Sequence, residues 1–354
     1  MMSRPVRVLV IDDSALVRSL LQQGLGLDPG IEVVGTAADP YEARDRIVQL
    51  LPDVLTLDVE MPRMNGVEFL RRLMPQHPLP TIMVSSLTEK GKATTLEALE
   101  AGAVDFVAKP SADVARGLQQ MMTALRTKVK IAATARVSHW KGRTVEGRKP
   151  GQAPSPGAMS DSTDKVIAIG ASTGGTEALK AVLSEFPASM PGTVIVQHMP
   201  AGFTKMFADR LNQLCRVEVK EAVTGDRVGP GRVLIAPGDR HLRVIRSGGF
   251  YQAVCESGEA VSGHCPSVDV LMHSVSKAAG RHALGVMLTG MGSDGADGLG
   301  AMRQAGARTL AQDEASSIVF GMPKVAFERG GAEKLVPLDG IARNISRLLA
   351  EQRS

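Results

Sequence analysis

Ser172 stands in Gly170-Ala-Ser-Thr-Gly-Gly175, directly after the apolar run Lys165–Ile169 and directly before a stretch of helical spacing, Thr176–Phe186. A glycine-rich turn between strand and helix has two physical meanings. It can cradle an anion on the helix N-terminus. It can also present a serine on a sharp turn, the pattern G-x-S-x-G. A serine becomes a nucleophile only with a base beside it, and the base needs a carboxylate to fix its tautomer. His198 follows the apolar run Thr193–Gln197, and Asp294 lies in Gly290-Met-Gly-Ser-Asp-Gly295 after Ala283–Thr289. All three would fall just beyond strand ends on one rim. The spacing predicts Ser172 as nucleophile, His198 as base and Asp294 as orienting acid. The order Ser…His…Asp differs from the Ser…Asp…His of α/β-hydrolases, which points to a separate fold with a convergent triad.

A second group of reactive side chains precedes this one. Asp12 and Asp13 end the first apolar run, Asp58 the third and Ser85 the fourth, and Lys109 follows the fifth. Three carboxylates at one rim repel one another and call for a cation, and oxygen-only ligands favour a hard ion such as Mg²⁺. A nearby lysine can hold a phosphoryl oxygen. One acid at a strand end is usually a helix cap, as Asp13 before Ser14 could be. Five matched positions at the ends of four strands are hard to obtain by chance.

The elements that must carry these groups alternate. Strand-length apolar runs lie at 6–11, 31–35, 54–58, 81–85 and 104–107, with helical spacing at 15–25, 41–51, 67–73 and 92–101. Alternating βα units predict a parallel sheet covered on both faces, with its site beyond the carboxyl ends of the strands. The chain of 354 residues favours two domains. Its formal charge of +4 divides unevenly: −4 over residues 1–121, +6 over 122–163 and +2 over 164–354. The middle segment ends rich in Gly, Pro, Ser and Thr, and reads as a linker. The expected organisation is therefore 4–121, a basic linker at 122–163, and 164–352.

The motifs Asp12-Asp13, Asp58-Val-Glu-Met-Pro-Arg-Met-Asn-Gly66, Ser85-Ser86 and Lys109-Pro110 resemble those of response-regulator receiver domains. The resemblance implies a doubly wound (βα)₅, flavodoxin-like fold in the α/β class. It implies that Asp58 accepts a phosphoryl group from a histidine kinase, that Asp12, Asp13 and Asp58 hold Mg²⁺, and that Ser85 and Lys109 sense the phosphate. It also implies a cis peptide at Lys109–Pro110. The stretches Ile169–Thr176, Val196–Pro200, Pro266–Val270 and Leu288–Gly295 resemble the catalytic domain of CheB-type protein-glutamate methylesterases, a parallel-sheet α/β domain. By position, Ser172, His198 and Asp294 take the catalytic roles, and Thr173 and the Met291 N–H line the pocket that holds an oxyanion. The implied substrates are methylglutamate and glutamine side chains of methyl-accepting chemoreceptors. No cofactor is implied for this domain. An unphosphorylated receiver is expected to cover the Ser172 rim. Cys265 stands where the family leads one to expect a basic residue.

The remaining features set limits. A pI near 9.0 invites a nucleic-acid reading, but the basic segment offers only Trp140 for stacking, and no helix-turn-helix follows it. No apolar run reaches the ~20 residues of a membrane span. The N-terminus lacks a signal-peptide pattern, and three cysteines fit a reducing cytoplasm. Cys255, His264 and Cys265 lack paired zinc spacing and read as free groups. His241 is given no role. The competing reading is a receiver-controlled nucleotide-binding or scaffolding module, yet glycines at 170, 174 and 175 do not fit G-x-G-x-x-G.

Overall fold

The computed structural model describes residues 4–86, 88–109, 114–142 and 164–352. The chain forms two compact units, 1–147 and 148–354. In the first, β1 (Val6–Ile11), α1 (Ala15–Gly26), β2 (Ile31–Ala37), α2 (Pro40–Leu50), β3 (Val54–Asp58), α3 (Gly66–Gln76), β4 (Thr81–Ser85), α4 (Glu89–Glu100), β5 (Asp105–Ala108) and α5 (Val114–Ala132) alternate as the sequence predicts. The parallel sheet runs β2-β1-β3-β4-β5. Every residue of β3 and β4 is buried, which is why these strands read as continuous apolar runs rather than alternating ones. Ile11 pairs with Leu57, so the residue after β1 and the last residue of β3 meet at the point where the strand order reverses.

The boundary expected at residue 121 falls within a helix. Helix α5 runs through it, burying Met122, Leu125, Val129 and Ala132 on one stripe. Beyond the helix, Val137 and Trp140 are also buried, and the Gly142 N–H donates to the Pro75 carbonyl at 2.9 Å. The basic charge of this stretch hid its apolar periodicity. Arg126 bonds the Gly24 carbonyl, Lys128 bonds Asp105 and Lys130 bonds Asp28, at 2.7, 2.6 and 2.7 Å. Residues 122–142 therefore pack with the receiver. The Lys109–Pro110 peptide and residues 143–163 of the expected linker lie outside the described residues.

The second unit opens with β6 (Val166–Ala171), α6 (Gly175–Ser184), β7 (Gly192–Gln197), α7 (Phe203–Leu214) and β8 (Glu218–Glu221). It continues through β9 (Arg227–Val228), β10 (Arg232–Ile235), β11 (His241–Ser247), β12 (Phe250–Glu256) and α8 (Val268–Ala279). It ends with β13 (Ala283–Met287), α9 (Ala296–Gln304), β14 (Arg308–Gln312), α10 (Met322–Glu328), β15 (Lys334–Val336) and α11 (Leu338–Glu351). The seven-stranded sheet has the order β15-β14-β13-β6-β7-β10-β8, and its pairs are parallel. An antiparallel ribbon, β11-β12-β9, lies outside the βα pattern read from the sequence. The chain leaves β6 toward β7 on one side and later returns to β13 on the other. The end of β6 is thus the switch point, where such sheets open a crevice.

Candidate active site

Ser172 is the residue after β6. Ala171 pairs with Gln197 on β7, and Met287 of β13 pairs with Gly170, so the loops after β7 and β13 flank the serine. Backbone bonds tie the three loops together: Ser172 N–H to Thr289 O at 3.0 Å, and His198 N–H to Ala171 O at 3.1 Å. The Gln197 side-chain amide donates to Ser172 O at 2.9 Å and to His198 O at 3.3 Å. The glycines of the turn serve close approach. A Cβ on Gly175 would lie 2.1 Å from Gln197 Oε1, one on Gly170 2.3 Å from Val268 Cγ1, and one on Gly290 2.7 Å from Ser172 Cβ. None of these positions admits a side chain without movement, which accounts for the glycine-rich motifs.

The structure joins two of the three predicted catalytic groups directly. His198 Nε2 lies 2.7 Å from Asp294 Oδ2. His198 Nδ1 is buried and has no hydrogen-bond partner. No hydrogen bond involves the Ser172 hydroxyl among the described residues; its backbone is placed beside His198, and its Oγ is left available. Nδ1 is therefore the ring nitrogen left unengaged.

Asp294 is almost wholly enclosed, at 1% exposure. It accepts from Ser267 Oγ at 2.7 Å, from Val268 N–H at 2.8 Å and from Asp269 N–H at 3.1 Å, all at the start of α8. A helix N-terminus favours an anion. Burial works to raise the Asp294 carboxyl, but the hydrogen bonds from His198, Ser267 and Val268 outweigh it and hold it below its ordinary value. The neighbouring Asp269 is pushed up by burial and by the Asp294 charge, despite bonds from Gly298 N–H and Ser262 Oγ.

Sequence reasoning missed this supporting layer. Ser267 caps α8, and its own N–H donates to His241 Nδ1 at 3.2 Å. His241 in turn reaches the Glu259 carbonyl through Nε2 at 2.8 Å. His241 is thus a buried brace for Ser267. The signal was present in Pro266-Ser-Val-Asp269, since a Ser before an apolar helical run is an N-cap signature.

Thr173 is buried, and its carbonyl accepts from Thr289 Oγ1 at 3.0 Å. The Gly290 carbonyl is held by the N–H groups of Met322 at 2.8 Å and Gly321 at 3.1 Å. A trans peptide points its N–H opposite to its C=O, so the Met291 N–H faces away from α10. It makes no hydrogen bond to another described residue. The Met291 side chain is 43% exposed at the rim. Burial pushes the thiols of Cys215 and Cys255 up to about 11 and raises that of Cys265, so these cysteines stay protonated at neutral pH.

In the receiver, Asp12, Asp13 and Asp58 bring ligand oxygens within 4.8 Å of one another. Lys109 Nζ sits 3.0 Å from both Asp12 Oδ2 and Asp58 Oδ2. Burial pushes the Asp58 carboxyl up to about 6 against the pull of Lys109, and the Asp12 charge adds to the rise. Burial works to lower the Lys109 ammonium, but the Asp58 and Asp12 carboxylates outweigh it. The all-oxygen set, with surplus negative charge, fits a hard divalent cation. Ser14 rather than Asp13 caps α1. Ser85 is not brought to Asp58 by its hydroxyl. That group bonds Thr95 Oγ1 at 2.5 Å and the Gly91 and Ser86 carbonyls at 3.2 Å, all toward α4.

Comparison with known proteins agrees with this division. The CheB methylesterase family profile matches residues 167–345, and the response-regulator receiver profile matches 8–122. The chain belongs to the CheB methylesterase family. It is 68% identical to a protein-glutamate methylesterase/protein-glutamine glutaminase of Syntrophotalea carbinolica, over 99% of this chain and all of that one. It is 51% identical to a Pseudomonas aeruginosa protein of the same name, numbered 2, over 99% of each. The Thermotoga maritima CheB methylesterase catalytic domain superposes with a TM-score of 0.51 at 36% identity, covering 52% of this chain and 98% of that one. The receiver-plus-methylesterase architecture does not support the nucleotide-binding or scaffolding alternative. Among the described residues no helix is long and apolar enough to cross a membrane.

Proposed function

We propose that the second domain hydrolyses the methyl esters of methylglutamate side chains on chemoreceptors, releasing methanol, and deamidates receptor glutamines to glutamate. The observation that carries this reading is the His198–Asp294 bond at 2.7 Å beside a buried, unpartnered Nδ1. Ser172 Oγ attacks the ester carbonyl and gives its proton to Nδ1. Asp294 holds the ring through Nε2 and stabilises the imidazolium. Met291 N–H, with the Thr173 region, stabilises the oxyanion. The imidazolium returns the proton to the departing methoxide, so methanol leaves and the acyl group stays on Ser172. Water, deprotonated by the same nitrogen, then releases the glutamate carboxylate. For glutamine the leaving group is ammonia.

The receiver reading is that Asp58 takes a phosphoryl group from a histidine kinase and thereby raises the activity of the second domain. Asp12, Asp13 and Asp58 would hold Mg²⁺, which neutralises charge at the phosphoryl oxygens when bound. Lys109 is poised to hold one of those oxygens, and Ser85 would turn from α4 to meet another. No nucleic-acid or membrane-inserted partner enters this reading, and the three free cysteines suit a cytoplasmic setting.

The test is methanol release from methylated receptor by the full chain, with and without a small phosphodonor and Mg²⁺. Loss of release in Ser172→Ala, and stimulation that vanishes in Asp58→Asn, are expected. Undiminished release by Ser172→Ala overturns the triad assignment.

A further inference from the structure

The base is not held by Asp294 alone. His264 lies flat against His198, with ring centroids 3.7 Å apart and planes inclined by 5°. His264 sits between β12 and α8, and it is itself fixed. Its Nδ1 lies 2.9 Å from the Ser262 carbonyl, which makes that nitrogen a donor. Its backbone exchanges two bonds with Val261, each of 3.0 Å. Ser262, at φ +53, donates from Oγ to Asp269 at 3.2 Å. Asp269 N–H is one of the three donors at the start of α8 to Asp294. A single stretch, 261–269, therefore delivers an aromatic face to His198 and a helix N-terminus to its carboxylate.

His198, His264 and Asp294 also offer ligand atoms within 4.8 Å of one another, which raises the question of a metal. The stacking argues against one. An imidazole lone pair lies in the ring plane, and two nearly parallel stacked rings with centroids 3.7 Å apart do not aim their lone pairs at a common point. Asp294 Oδ2 is already engaged by His198 Nε2. What the geometry does provide is a wall. Rotation of the His198 ring about its Cβ–Cγ bond would drive a ring edge into the plane of His264.

We infer that His264 is a positioning residue for the base. Its ring face keeps His198 Nε2 on Asp294 and Nδ1 turned toward the serine, so that the proton acceptor is ordered before substrate arrives. The inference rests on the triad reading. The flat face, not a proton, is the working part, so another planar ring should replace it.

The test is steady-state methanol release from methylated receptor by the full phosphorylated chain, comparing His264→Ala, His264→Phe and His198→Ala, with thermal melts of each. His264→Ala should lower kcat about 10–100-fold, the scale of a misplaced catalytic group, with KM and melting temperature nearly unchanged. His264→Phe should recover most of that loss. Wild-type kcat in His264→Ala overturns the inference. A His264→Phe variant as impaired as His264→Ala overturns it too, in favour of a proton-carrying role. Full activity in His198→Ala would instead remove the triad reading beneath it.

Discussion

His198 meets Asp294 through Nε2 rather than Nδ1, at 2.7 Å, and its Nδ1 is buried without a hydrogen-bond partner. The carboxylate then decides which nitrogen carries the proton. Asp294→Asn keeps the shape but favours the wrong tautomer. Its kcat for methanol release should fall by about 10⁴. A loss of less than tenfold would mean that Asp294 does not set the tautomer.

Ser267→Ala removes the 2.7 Å donor to Asp294 and the cap of α8. The cost should be about 1–2 kcal/mol, measured by denaturant unfolding. The pH dependence has a definite sign. Asp294 is held below its ordinary value in the folded chain. Its contribution is therefore present above the unfolded pKa and is lost as pH falls through the folded one. Losing a donor raises the folded value, so the acid-side decline in melting temperature should begin at higher pH than in wild type. Coincident acid limbs would refute the link.

Asp58 behaves in the opposite sense. It titrates at about 6 in the fold and near 4 when unfolded. Its stabilising contribution is full below about pH 4 and lost as pH rises through 6. Without divalent cation, Asp58→Asn should therefore be more stable than wild type at pH 7.5, by about 1–3 kcal/mol. The gap should close below pH 4 and narrow with added Mg²⁺. Equal melting temperatures in chelator at pH 7.5 would contradict the strained carboxylate cluster.

The Met291 side chain and its N–H can be separated. Met291→Ala retains the donor and should change kcat little. Met291→Pro deletes it and should cost about 10²–10³ in kcat. If both variants behave alike in the methanol assay, the oxyanion donor lies elsewhere.

Much of this was legible in the chain because chemistry sits at strand ends. Continuous apolar runs located β1, β3, β4, β6, β7 and β13, and polar residues at their ends or in the loops that follow marked the rim. The receiver cluster and the His198–Asp294 bond follow from that rule. Supporting contacts were not legible, since they join segments with no shared pattern. His241 braces Ser267 across 26 residues, and His264 meets His198 from the stretch after the ribbon. The continuation of α5 was obscured by charge, because Arg126, Lys128 and Lys130 find partners on the receiver itself rather than in solvent.

The sheet order carries one more consequence, for how such an enzyme can diverge. Ser172, His198 and Asp294, the proposed nucleophile, base and acid, come from the loops after β6, β7 and β13, three neighbours in the sheet. The ends of β8, β10 and β15 supply no group to the triad. The loops after β8 and β15 can lengthen, shorten or change character without altering the distances on which hydrolysis depends, whereas the loop after β10 leads into His241, the brace of Ser267. Selection for a new receptor surface can therefore work at the margins of the sheet while the chemistry at its centre stays fixed.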